Sequence, residues 1–136
     1  MNKDIIDKLI EEAKEIASRN FCCSHSGYTV GAALLTNEGK IYKGFNIENE
    51  GIQSICAERV AFSKALSEGN HRFTCIVVVG KKLKDNKFVK TTPCGYCRQF
   101  MKEYTTKDFF IYTYDDNENK IYKYTMEELL PESFIL

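Results

Sequence analysis

Three thiols and one carboxylate are spaced in this chain as a metal site would space them. Cys56-Ala57-Glu58-Arg59 puts an acid two residues after a cysteine, and Pro93-Cys94-Gly95-Tyr96-Cys97 adds two more thiols across a two-residue gap. Zinc is borderline-soft and tetrahedral, so Cys56, Cys94 and Cys97 as thiolates would leave a fourth position for water, where a purely structural site closes all four with protein ligands. The pKa of a water so held falls to roughly 7 in catalytic sites. Glu58 beside it can take that proton and hand it to a leaving group. Three thiolates on a divalent ion leave one surplus negative charge, and Arg59, three residues from Cys56 on a helix, can donate hydrogen bonds to sulfur and offset it.

Parts of this pattern have plainer readings. A C-x-x-C pair alone serves a redox dithiol or half of a structural zinc knuckle, and a lone glutamate on a helix is ordinarily solvated. The third cysteine and the Cys-x-Glu spacing favour the open zinc site. Asn46 and Glu48 stand two apart around Ile47, so in an extended segment both side chains point the same way. An amide and a carboxylate side by side suit a sugar diol, and they suit a turn as well.

The elements that must position these groups can be read from periodicity. Residues 3–19 place Ile5, Ile6, Leu9, Ile10, Ala13, Ile16 and Ala17 on one stripe opposite Glu11, Glu12, Lys14 and Glu15, which predicts a packing helix capped by Asn2. After a loop from Asn20 to Tyr28, strands are expected over 29–36 and 40–46, joined by Asn37-Glu38-Gly39 with glycine where positive φ is needed. A helix over 56–68 begins at Cys56 and closes at Gly69. The apolar run 73–80 reads as a strand covered on both faces. Lysine-rich 81–87 lacks the interleaved aromatics of a nucleic-acid binder and reads as a solvated loop.

Pro93 suits the start of a second cysteine-bearing helix over 93–104. Strands over 109–114 and 120–124 flank a polar turn, and Thr125 with Glu128 forms a capping box for a short helix before Pro131. Both cysteine-bearing helices begin at thiols, where unpaired backbone N–H groups favour thiolate. Strand–helix–strand alternation implies right-handed parallel crossovers, whereas the opening hairpin is antiparallel. The fold class is therefore α/β, a mixed five-stranded sheet with helices on its faces.

At 136 residues the chain is expected to form a single domain, residues 1–136. Nineteen basic against nineteen acidic residues leave no net field to draw in a polyanion, which argues against a nucleic-acid partner. The opening Met1-Asn2-Lys3-Asp4 leads into an amphipathic pattern with no apolar stretch of signal or membrane-spanning length, so no membrane partner and a cytoplasmic location are expected. Cys75 sits in an apolar strand as a small hydrophobe, and the adjacent Cys22 and Cys23 read as reduced loop thiols. A reducing compartment suits all six cysteines. The tail Glu132-Ser133-Phe134-Ile135-Leu136 ends apolar and wants a partner surface.

The spacing of Cys56, Glu58, Cys94 and Cys97 matches the zinc-deaminase signature, with cysteine in place of histidine as first ligand. Around it, Val30-Gly31-Ala32-Ala33-Leu34-Leu35, Gly44-Phe45-Asn46-Ile47-Glu48-Asn49, Ser67-Glu68-Gly69, Pro93-Cys94-Gly95-Tyr96-Cys97-Arg98-Gln99 and Glu128-Leu129-Leu130-Pro131 follow one another in order. Through these words the chain resembles the small homotetrameric cytidine deaminases along nearly its whole length. The resemblance implies a three-layer α/β/α sandwich and one Zn2+ per subunit. It also implies hydrolytic deamination of a small-molecule nucleoside, cytidine or deoxycytidine, in pyrimidine salvage. On the same resemblance Asn46 and Glu48 bind the ribose hydroxyls, backbone near Ala57 and Cys94 holds the base, Tyr28 packs on it, and Phe134 reaches into a neighbouring subunit's site.

The chain also departs from that family near the substrate. Where many relatives have Pro-Tyr-Ser, it carries Ser24-His25-Ser26, and the loop Asn49-Glu50-Gly51-Ile52-Gln53-Ser54-Ile55 is one residue short and lacks the customary aromatic. One alternative reading is a deaminase of a modified cytosine compound such as blasticidin S; enzymes of that type carry tyrosine at the position of Glu48, so Glu48 leans towards ribose. The other is a zinc-stabilised binding module without turnover, which the open coordination position and Glu58 disfavour.

Overall fold

The computed structural model describes residues 1–50 and 52–136, so Gly51 of the shortened loop lies outside the described residues. Its elements run α1 (Lys3–Ser18), β1 (Tyr28–Thr36), β2 (Ile41–Phe45), α2 (Ala57–Ser67), β3 (Phe73–Lys82), α3 (Gly95–Tyr104), β4 (Phe110–Asp115), β5 (Lys120–Thr125) and α4 (Met126–Leu129). The strands form a mixed five-stranded sheet in the order β2-β1-β3-β4-β5. β3 and β4 pair in parallel, and the other neighbouring pairs are antiparallel. Because β2 and β3 both oppose β1, the connection through α2 joins two strands that point the same way across an intervening one. The connection through α3 joins direct neighbours.

The period of two along each strand divides the interior into two cores. Ala32, Leu34, Ile76, Val78 and Ile111 pack with Ala57, Ala61 and Phe62 of α2, with Met101 of α3, and with Phe109. Their sequence neighbours Ala33, Leu35, Cys75, Val77, Val79 and Tyr112 pack with Ile6, Leu9, Ile10, Ala13 and Ala17 of α1. The result is the three-layer α/β/α sandwich, with α1 on one face and the cysteine-bearing helices on the other. β3 is buried without a break from Cys75 to Gly80, as its unbroken apolar run predicts.

Local chemistry sets the ends of the helices. Asn2 Oδ1 accepts from the Asp4 N–H at 2.6 Å and caps α1. Thr125 and Glu128 form the predicted capping box at α4. Gly39 and Gly69, at the hairpin turn and behind α2, adopt φ of +91° and +94°. The second cysteine-bearing helix starts at Gly95, two residues after Pro93, because Cys94 is an extended cap with φ −68° and ψ 166°. Cys56 plays the same part for α2, with φ −70° and ψ 154°. Two glycines allow helices to press on the sheet: a Cβ on Gly31 would lie 2.0 Å from the Ala13 carbonyl oxygen, and one on Gly44 would lie 2.8 Å from that of Ala57.

Candidate active site

Cys56 and Cys94 are the caps of α2 and α3, and neither thiol is spent on a capping hydrogen bond. Their carbonyls close the first turns by accepting from Val60 N–H at 3.1 Å and Arg98 N–H at 2.9 Å. Cys97, one turn into α3, is buried. The three sulfurs lie within 4.8 Å of one another, and those of Cys56 and Cys94 are 3.8 Å apart. Two thiolates each about 2.3 Å from one tetrahedral zinc stand about 3.8 Å apart, so the donor set fits that ion in chemistry and spacing. A hydrogen bond from the Cys97 thiol, acting against partial burial and aided by Arg59, holds the Cys56 thiol well below the usual range; the same bond and burial push Cys97 up.

Glu58, the second residue of α2, is only 4% exposed. Burial, reinforced by the charge on Cys56, lifts its carboxyl to about 7, where a group can both take and give a proton at neutral pH. Arg59 sits among the sulfurs: burial works to lower its pKa, but Cys97 and Cys56 beside it prevail and raise it, its Nη2 donates to the Ser54 carbonyl at 3.5 Å, and its guanidinium carbon lies 4.3 Å from the centre of the Tyr96 ring. A cation over an aromatic face is held by the ring quadrupole. The guanidinium is thus held between the Ser54 carbonyl and the ring.

A cleft of about 230 Å³ opens over this cluster, lined by Val30, Asn46, Glu48, Ser54, Ile55, Cys56, Ala57, Glu58, Thr91, Thr92 and Cys94. Another groove, about 430 Å³, lies between α1 and the β4–β5 turn, lined by groups such as Lys3, Asp7, Glu11 and Lys14. It is larger, but among the described residues the group of three side chains that could hold a metal ion borders the smaller cleft, which Cys56 and Cys94 line. Chemistry rather than volume selects the site.

Asn46 and Glu48 meet at the cleft wall, where Asn46 Nδ2 donates to Glu48 Oε2 at 3.0 Å. Ser26 donates to both oxygens of Glu48, through Oγ at 2.5 Å and its N–H at 3.0 Å. Burial would raise this carboxyl, but the Ser26 and Asn46 bonds outweigh it and hold the group below the usual carboxylate range. Tyr28 does not line the cleft; its ring covers Gly80 and its hydroxyl bonds Thr91, a lining residue, at 3.1 Å. Phe134 also lies outside the lining, 65% exposed, its carbonyl accepting from Gln99 Nε2 at 3.2 Å. Sequence reasoning gave no role to Ser26, Thr91 or Thr92, which reach the site from loops whose placement no local spacing encodes, nor to Tyr96 in the first turn of α3.

Residues 3–113 match the family model described as the cytidine and deoxycytidylate deaminase zinc-binding region. A probable cytidine deaminase of Dictyostelium discoideum is 41% identical over 136 residues, spanning 98% of this chain and 86% of the relative. A blasticidin-S deaminase of Bacillus cereus is 34% identical over 106 residues, 75% of this chain and 74% of the relative. The crystal structure of cytidine deaminase from Burkholderia pseudomallei superimposes with a TM-score of 0.79 at 32% identity, covering 94% of this chain and 98% of that one. In sequence and in its three-layer α/β/α sandwich alike, the chain belongs to the cytidine and deoxycytidylate deaminase zinc-binding family.

Proposed function

We propose that this protein deaminates free cytidine and deoxycytidine to uridine and deoxyuridine, releasing ammonia. The observation that carries the reading is that three thiols at zinc spacing meet beneath one cleft that is lined by the buried Glu58 and the hydrogen-bonded Glu48 carboxylate. Cys56, Cys94 and Cys97 hold the zinc, which when bound supplies the Lewis acidity that makes a water nucleophilic near neutral pH.

The chain's own residues do the rest. Glu58 takes a proton from the attacking water and passes it to the ring nitrogen beside the amine-bearing carbon. The same carboxylate then moves the second proton of that water to the departing amine, so the carbon–nitrogen bond breaks, ammonia leaves and a carbonyl remains. Glu48 accepts a hydrogen bond from a sugar hydroxyl, and the backbone of Ala57 and Cys94 holds the base, with Tyr28 behind Thr91 completing that wall. Arg59 offsets the surplus charge of the three thiolates.

Glu48 also leans towards ribose over blasticidin S, which the resemblance pairs with tyrosine at that position. The reading takes residues 1–136 as one domain working in pyrimidine salvage in the cytoplasm, on monomers and not on nucleic acid. The absence of net charge supports monomeric substrates, and no helix among the described residues is long and apolar enough to cross a membrane. Exposed Phe134, Ile135 and Leu136 support assembly into a homotetramer in which Phe134 meets a neighbour's site. An ultraviolet assay of the zinc-loaded protein tests the whole reading. Cytidine and deoxycytidine should be converted and blasticidin S should not; turnover of blasticidin S alone, of a polynucleotide alone, or of none of them would overturn it.

A further inference from the structure

Asn20 follows α1 and stands outside every motif that marks the site, yet it anchors the Asn46–Glu48 pair. Its Nδ2 donates to Asn46 Oδ1 at 2.8 Å, to the Asn46 carbonyl at 3.1 Å and to Thr29 Oγ1 at 3.2 Å. Its Oδ1 accepts from the Cys22 N–H at 2.7 Å, so the amide is fixed at both ends. Asn46 Oδ1 also accepts from the Val30 N–H at 2.8 Å, and Asn46 Nδ2 donates to the Tyr28 carbonyl at 2.9 Å and to Glu48 Oε2 at 3.0 Å.

A primary amide has two N–H donors and two acceptor lone pairs. Asn46 commits all four within the protein. A carboxylate has about four acceptor positions, and Glu48 receives three bonds, two from Ser26 and one from Asn46. Capacity for one more donor, such as a hydroxyl, therefore remains on Glu48 and not on Asn46.

We infer that Asn20 is a positioning residue for sugar recognition: it locks Asn46, which in turn aims Glu48 at a sugar hydroxyl. This rests on the proposed reading of Glu48 as the sugar-binding carboxylate. Asn20 touches neither zinc ligands nor Glu58 in this arrangement, so its loss should act on binding of the sugar and leave the chemical step alone.

The test pairs two variants with two substrates. Asn20→Ala removes the amide, and Asn20→Ser keeps an oxygen that can accept from an N–H two residues on but is too short to reach Asn46. Initial rates are measured with cytidine and with 2′,3′-dideoxycytidine, the latter at higher enzyme concentration. In both variants kcat/KM for cytidine should fall about tenfold through KM, with kcat nearly constant, and that for the dideoxy substrate should change less than about twofold. Zinc content should match the parent. Equal losses on both substrates would mean a general structural role and overturn the inference, as would unchanged cytidine kinetics. A parent protein that treats the two nucleosides alike would remove the Glu48 reading beneath it while leaving deamination intact. A parent that converts neither would remove the proposed function itself.

Discussion

Glu58 sits in the first turn of α2, where a carboxylate is favoured by the helix dipole, but it is buried and its carboxyl is raised to about 7. Desolvation therefore outweighs the dipole, and the group is suited to exchanging protons near neutrality. Glu58→Gln keeps the shape and removes the exchange. Zinc content measured by atomic absorption should be unchanged, while turnover of cytidine falls about 10³-fold; a variant with near-normal turnover would remove Glu58 from the reaction. The four central residues were legible because Cys-x-Glu and Cys-x-x-Cys are local spacings that a helix start converts directly into geometry. Asn20, Ser26 and Thr91 were not, since their contacts with Asn46, Glu48 and Tyr28 depend on loop closure.

At the level of elements, the site depends on how closely α2 lies on β2. Gly44 permits that approach, for an added Cβ would meet the Ala57 carbonyl oxygen and the Val60 side chain at 2.8 Å. Backbone cannot give way as a flexible side chain would. Gly44→Ala should therefore lift the start of α2, which carries Cys56 and Glu58, and cost about 1–3 kcal/mol as overpacked sites do. Denaturant unfolding would show the loss of stability, and competition with a chelator would show weaker zinc retention; if both stayed at parent values, the close approach would be irrelevant to the site. Element types and order followed from apolar periodicity and caps. The offset at α3 did not, because proline before a cysteine marks a helix start without saying which residue is the cap.

Across the whole molecule, Asp116 fastens α1 to the turn between β4 and β5. Its carboxylate pairs with Lys14 at 2.8 Å and accepts the Phe88 N–H at 2.7 Å, and Lys14 lies 4.7 Å from the Tyr114 ring centre. Burial works to raise the Asp116 carboxyl, but the Lys14 and Phe88 bonds with the Lys14 charge prevail and hold it below the usual range. A carboxyl lowered on folding contributes stability that is complete above its unfolded pKa of about 3.9 and is lost as pH falls through the lower folded value. Asp116→Asn should therefore cost about 1 kcal/mol at pH 7, a deficit that shrinks in acid below pH 4; urea unfolding of both proteins at the two pH values checks this, and a deficit equal at both would remove the charge from the account. The amino-acid sequence by itself determined the elements, the mixed sheet and the thiol–carboxylate set, because periodicity, caps and short spacings are properties of consecutive residues. Tertiary structure alone decided that the connection through α2 passes over β1, that Asn46 commits its whole amide to neighbours, and that Tyr28 and Phe134 lie outside the cleft lining. Each of those is a pairing between groups distant along the chain, fixed only when the sheet and loops close on one another.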